Sequence, residues 1–300
     1  MRVTQNMLTN FSTRALQQSQ GKLFKTQEQL STGNKINRAS DDPQGMRKIL
    51  DYRSSLSQIA QYKENISAGK ERVEMAETTL DAVQDLLTQA KETAMDNATS
   101  EFSSRGAAAQ NIRGVMEQAM GLANARIGKE YLFAGYLSDA APFTIDGGYN
   151  VTYHGDDNAV YVKTGDTGKV EINTSGSAVF TGASLTDGTN VFDAMRDVAA
   201  ALESEPMDST VLDEAVNRLG KGIEQIQVSR QGISMRYSQL KSSEASLGSL
   251  DQIITNRLSN TQKVDTVQAA VELKAQQLAY EAALSTVSRM FDLSLMKFLG

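Results

Sequence analysis

The stretch Leu30-Ser31-Thr32-Gly33-Asn34-Lys35-Ile36-Asn37-Arg38-Ala39-Ser40-Asp41-Asp42-Pro43 reads as one helix ending and another beginning. Gly33 can adopt the left-handed conformation that closes a helix, and Asn34 tolerates it. Asp42 can accept hydrogen bonds from the free N–H groups of the next helix. Pro43 suits the first helical position, where a missing N–H costs nothing. Asp41 and Asp42 also lie at the positive end of that helix's dipole. They read as capping residues, because a metal site or an acid/base pair needs further ligands and none accompanies them.

Outward from this turn, both flanks are helical. Residues 5–30 place Leu16, Leu23 and Leu30 seven apart, with Phe11 and Ala15 in support. The stripe is thin, so this helix needs a partner. From Pro43 to about Met95 the heptad is explicit: Ile59, Ile66, Val73, Leu80, Leu87 and Ala94 in one position. Tyr62, Gly69, Ala76, Val83 and Ala90 follow three residues on. Such a seam predicts a coiled coil or long-helix bundle, with a helix extending ~75 Å at the usual rise. A third helix is expected over 103–129, with Ile112, Met116, Ala119 and Ala123 on one face.

Residues 137–190 change character. Asn150–Tyr153, Val160–Lys163, Lys169–Ile172 and Ala178–Phe180 are short alternating runs separated by Asp/Gly turns. They predict a small antiparallel β insertion between two helical blocks. Helix resumes at Val191 and runs to about Glu203, before Pro206. A second seam follows, with Leu212, Leu219, Ile226, Ile233, Leu240, Leu247 and Ile254. After a soft patch around Asn256–Lys263, the last helix carries Leu273, Tyr280 and Val287 in one register. Leu284, Phe291 and Phe298 occupy the neighbouring register, with Leu295 between.

The fold class expected is therefore mainly α with an inserted β domain: a long antiparallel helical stem built from N- and C-terminal regions, and a small β-rich head. The divisions expected are 1–42 plus 259–300 as a terminal coiled-coil assembly domain, 43–136 plus 191–258 as the stem, and 137–190 as the head. The two inner seams read as covering each other. The terminal stripes, Phe11, Leu16, Leu23 and Leu30 with Leu273, Tyr280, Leu284, Val287, Phe291, Leu295 and Phe298, read as an assembly interface.

Composition bounds the chemistry. Hydrophobic content of 40% and charged content of 22% fit an ordinary soluble protein. The net charge of −6 gives no broad basic footprint for nucleic acid. No apolar run is long enough to span a bilayer, and the N-terminus lacks the apolar core of a signal peptide. With no cysteine, neither disulfides nor thiolate chemistry is available. The one histidine, His154, precedes Gly155-Asp156-Asp157 and reads as a hairpin-end residue, as the two aspartates do. No phosphate loop, dinucleotide fingerprint or nucleophile elbow is present, so no cofactor, metal or enzymatic role is expected.

The motif from Leu30 to Pro43, with Gly33, Asn37, Asp41, Asp42 and Pro43, closely resembles the N-terminal motif of the flagellin superfamily. The ending Leu293-Ser294-Leu295-Met296-Lys297-Phe298-Leu299-Gly300 resembles its C-terminal motif. The opening Met1–Met7, the exit Tyr131–Tyr136 and the single small β insertion look more like the hook–filament junction member than the filament protein. The order Val151–Asp157 followed by Ala178–Phe180 resembles that member's β domain. The resemblance implies a self-polymerising structural adaptor at that junction, forming a ring. It implies hook-associated protein 1 and flagellin as neighbours, and a cytoplasmic export chaperone binding the C-terminal region. It further implies an extracellular flagellar location, reached through the flagellar type III apparatus without a cleaved signal. The filament subunit itself, and more remotely an enzyme on a helical stem, stay open as alternatives.

Overall fold

The structure is a computed structural model that describes the backbone of residues 5–183 and 187–299, with side chains at 7, 10–183 and 187–289. In chain order come α1 (Gln5–Thr32), α2 (Pro43–Asn97) and α3 (Phe102–Ala123). Six short strands follow: β1 (Arg126–Ile127), β2 (Glu130–Tyr131), β3 (Phe143–Ile145), β4 (Val151–Tyr153), β5 (Tyr161–Lys163) and β6 (Lys169–Glu171). A π-helical turn (Ser177–Thr181), α4 (Val191–Glu203), α5 (Ser209–Gln262) and α6 (Thr266–Leu299) complete the chain. The architecture is mainly helical with a small antiparallel β region, the class its sequence predicts. The chain divides into two units: residues 1–58 with 249–300, and residues 59–248. The divisions fall inside α2 and α5.

The first unit is organised by the quoted turn. Gly33 takes φ +70°, closing α1. Asp42 Oδ1 accepts from the N–H groups of Gln44 at 3.1 Å and Gly45 at 3.0 Å, so Asp42 caps α2 with Pro43 at its first position. Asp41 has a different task. Its Oδ2 accepts from Asn37 N–H at 3.2 Å and Arg38 N–H at 3.0 Å, and its Oδ1 meets Lys25 Nζ at 3.0 Å. The Lys25 ammonium and the Arg38 N–H hold its carboxyl below the usual aspartate range. A Cβ at Gly45 would lie 2.4 Å from Ile36 Cδ1, so any larger residue there would have to displace the Ile36 side chain. The α1–α2 turn then pairs with the α5–α6 turn: Lys35 N–H donates to Gln262 O at 2.7 Å, and Val264 N–H to Gly33 O at 3.0 Å. The soft patch expected from Asn256 is helical to Gln262, and the break is confined to the residues before Thr266.

In the second unit the predicted seams are buried. Ile66, Leu80, Leu87 and Ala94 of α2, and Leu219, Ile226 and Leu240 of α5, are fully enclosed. Each such leucine or isoleucine contributes about 1.5–3 kcal/mol. Ion pairs lace the two helices along this seam: Lys70 to Glu244 at 2.8 Å, and Arg230 to Glu77 and Asp81, each at 2.7 Å. α3 packs on α4, and its Ile112, Met116, Ala119 and Ala123 are fully buried. It ends at Ala123, earlier than its sequence suggests. Asn124 leaves the helix and exchanges two hydrogen bonds with the Phe143 backbone, at 2.9 and 3.0 Å. Gly128 at φ +60° turns the β1–β2 hairpin.

Among the described residues the β region comprises three two-stranded antiparallel hairpins, with Ile127 paired to Glu130, Thr144 to Thr152 and Val162 to Val170. The run Ala178–Phe180, which alternation suggests is a strand, lies in the π-helical turn. Val179 and Phe180 are consecutive and both fully buried, which a pleated strand with one covered face cannot arrange. Phe180 joins Phe133, Phe143 and Phe192 in an aromatic core, with ring centroids 5.2–5.6 Å apart. Residues of the inserted segment thus share a core with α4.

Candidate assembly surface

Among the described residues no group of metal-ligating side chains occurs. His154 is exposed and its Nε2 lies 2.8 Å from Thr144 Oγ1, which ties the β3–β4 hairpin together. Asp156 accepts from the N–H groups of Tyr136 and Asn158, chiefly the former, which lowers its pKa. Asp157 accepts from Ser175 and Ser177. Turn chemistry therefore occupies both carboxylates. No helix among the described residues is long and apolar enough to cross a membrane.

The terminal helices are a different kind of surface. The reciprocal bonds between the two turns place the end of α1 beside the start of α6, so the helices run antiparallel and pack along their length. Leu16, Leu23 and Leu30 of α1, and Leu273, Tyr280 and Val287 of α6, are all half-buried. Thr26 and Ala269 are the closely covered positions between them, at 4% and 5% exposure. Phe11 and Leu284 instead stand outward, at 71% and 43% exposure. The side chains of Phe291, Leu295 and Phe298 lie outside the described residues. Gly33, Asn37, Asp41, Asp42 and Pro43 form the turn already described, with Asn37 Nδ2 donating to Asn34 O at 3.3 Å.

A second outward stripe escapes heptad reading. Val267, Val271 and Leu278 are exposed on α6. At 100° per residue they lie opposite the face of Leu273, Tyr280 and Val287. Phe24 stands out from α1 at 57% exposure. The signal was there in the spacing of Val267, Val271 and Leu278, but one helix with two apolar faces resolves only when one face has found its cover. The α1–α6 pair thus keeps apolar side chains on both helices after pairing, a surface suited to association rather than catalysis.

The bacterial flagellin N-terminal helical region family matches residues 3–138. Over 98% of both chains, this protein is 26% identical to flagellar hook-associated protein 3 of Salmonella typhimurium. It is also 32% identical to the flagellar filament 41 kDa core protein of Borreliella burgdorferi, over 32% of this chain and 31% of that one. In fold it is similar to flagellar hook-associated protein 3 of Legionella pneumophila, with a TM-score of 0.64 at 12% identity, covering 71% of this chain and 98% of that chain. Capped turn, long paired helices, small hairpin insertion and these likenesses agree: the chain is similar to the bacterial flagellin superfamily, whose N-terminal helical region its residues 3–138 match.

Proposed function

We propose that this protein is a structural adaptor of the bacterial flagellum, polymerising at the hook–filament junction and seating flagellin. The observation that carries this reading is how far each likeness extends. The match to a hook-associated protein continues through the hairpin insertion to both ends, over 98% of the chain, whereas the filament-protein match covers 32% of it. In this reading copies join in a ring through the α1–α6 pair. Leu16, Leu23, Leu30, Leu273, Tyr280 and Val287 hold the pair together, while Phe11 and Leu284 meet neighbouring copies. Phe291, Leu295 and Phe298 extend that interface. Hook-associated protein 1 borders one side of the ring and flagellin the other. Export proceeds as an unfolded chain through the flagellar type III apparatus, delivered by a cytoplasmic chaperone.

A strain lacking the protein tests this. The expected result is complete hooks, no filaments, and flagellin shed into the medium. Normal filaments on those cells would overturn the adaptor role, and loss of an abundant filament-length component would identify a filament subunit.

A further inference from the structure

Charge is divided unevenly between the two units. Residues 1–58 and 249–300 carry 14 Lys/Arg and 9 Asp/Glu, net +5; residues 59–248 carry 16 and 27, net −11, together the chain's −6. The positive side has a shaped feature. A groove of about 1070 Å³ runs between α1 and α6 within the first unit. Its lining includes the short side chains Ala15, Ser19, Ala269, Ala275 and Ala279, and its lysines are Lys22, Lys25, Lys35 and Lys263. Lys25 is paired with Asp41, whereas Lys22, Lys35 and Lys263 form no ion pair among the described residues. The groove's carboxylates are engaged: Asp265 caps α6 through the N–H groups of Val267 and Gln268, and Glu272 accepts from Gln276 Nε2. A helix ~10 Å across fills about 1,000 Å³ over two and a half turns, so a groove of this size fits one helix segment.

The negative side has a matching feature. Glu64, Glu71, Asp85 and Glu92 share one heptad position on α2, with Thr78 completing the row, and all are exposed. None of the four carboxylates forms an ion pair among the described residues, unlike Glu77 and Asp81, which Arg230 neutralises. Thr78 is short enough to face an alanine floor. Glu71 and Asp85, seven residues to either side, span ~21 Å along α2.

We infer that the lysine-edged groove of one copy receives the acidic face of α2, centred on Thr78, from a second copy of this chain. The inference rests on the self-assembly proposed above and specifies one of its contacts. It adds a directional contact, groove to acidic face, of the kind that closes rings instead of stopping at dimers.

The full-length chain, free of cysteine, allows a direct test. Chains bearing Ala275→Cys mixed with chains bearing Thr78→Cys should yield a mixed disulfide dimer on mild oxidation, at high protein concentration and in isolated flagella. Reversing Lys22→Glu with Lys263→Glu should weaken self-association about tenfold at low salt, and Glu71→Lys with Asp85→Lys should do the same. Combining all four reversals in one chain should restore it. Absence of the mixed dimer under both conditions would overturn the inference, as would a four-fold variant that stays impaired with unchanged circular dichroism. Either failure leaves the adaptor role standing if the deletion strain still sheds flagellin.

Discussion

Gln225 on α5 and Thr189, just before α4, exchange a reciprocal pair of hydrogen bonds. Thr189 N–H donates to Gln225 Oε1 at 3.1 Å, and Gln225 Nε2 donates to Thr189 O at 3.2 Å. The same Nε2 donates to Val179 O at 2.7 Å. Gln225 is 5% exposed, so a polar side chain in an apolar helix face fastens the π-helical turn and the entry to α4 to α5. Gln225→Leu should destabilise the second unit by about 1–3 kcal/mol, since it leaves backbone groups without partners. Chemical denaturation of the two proteins measures this, and an unchanged midpoint would mean that water replaces the amide.

Gly176 is closely packed beside the aromatic core. A Cβ there would stand 2.7 Å from Tyr153 Cε2, 2.8 Å from Phe143 Cζ and 2.9 Å from Phe133 O. The ring positions are fixed by their neighbours and the carbonyl is backbone. Gly176→Ala should therefore cost about 1–3 kcal/mol. Near-ultraviolet circular dichroism should lose intensity as Phe143 and Tyr153 shift, while the helical far-ultraviolet signal persists. A variant with the wild-type aromatic signal would show that the core can relax.

Arg113 grips both carboxylate oxygens of Glu203 at the end of α4, and this pairing lowers the Glu203 pKa against a smaller opposing effect of burial. A carboxyl whose folded pKa lies below its unfolded one stabilises the fold above the unfolded value. That contribution is lost as pH falls through the folded value. With the Glu203 side chain 38% exposed, solvent screening limits the effect to about 0.2–1 kcal/mol. Glu203→Gln should accordingly be less stable than wild type at neutral pH and equal to it in acid. Denaturant midpoints across that range provide the check, and a constant difference at every pH would rule the pair out as its source.

The terminal pair should open more easily than the central helices. Leu16, Leu23 and Leu273 are half-buried, where Leu80 and Leu87 are fully enclosed. Partial burial of one leucine per turn or two barely offsets the ~1–2 kcal/mol of backbone entropy per ordered residue. Hydrogen exchange on the free protein should show weak protection in α1 and α6 and strong protection in α2 beyond Ile59. Leu23→Asp should leave the second unit's melting transition in place yet block incorporation at the hook tip. Equal protection of terminal and central helices in the free chain would refute this.

Much of this was legible in the residue order because helices advertise themselves locally. The α2 and α5 seams repeat every seven residues, so their buried faces follow from spacing alone, and all of Ile59 to Ala94 in that register is enclosed. Gly33, Asp42 and Pro43 likewise fix a turn within a few residues. From sequence Asp41 reads as a second cap, and only the approach of Lys25 and the Arg38 N–H gives it its separate role. The aromatic core had no local signature. Phe133, Phe143, Phe180 and Phe192 follow no period, and they meet because Gly135 at φ +72°, Gly182 at φ +68° and the bare Gly176 let the chain fold back. The same limit hid the outward stripe of Val267, Val271 and Leu278. Periodicity states which side chains share a face of a helix, a consequence of backbone geometry. Which face is covered depends on contacts between residues far apart in the chain, and those exist only once the tertiary structure has formed.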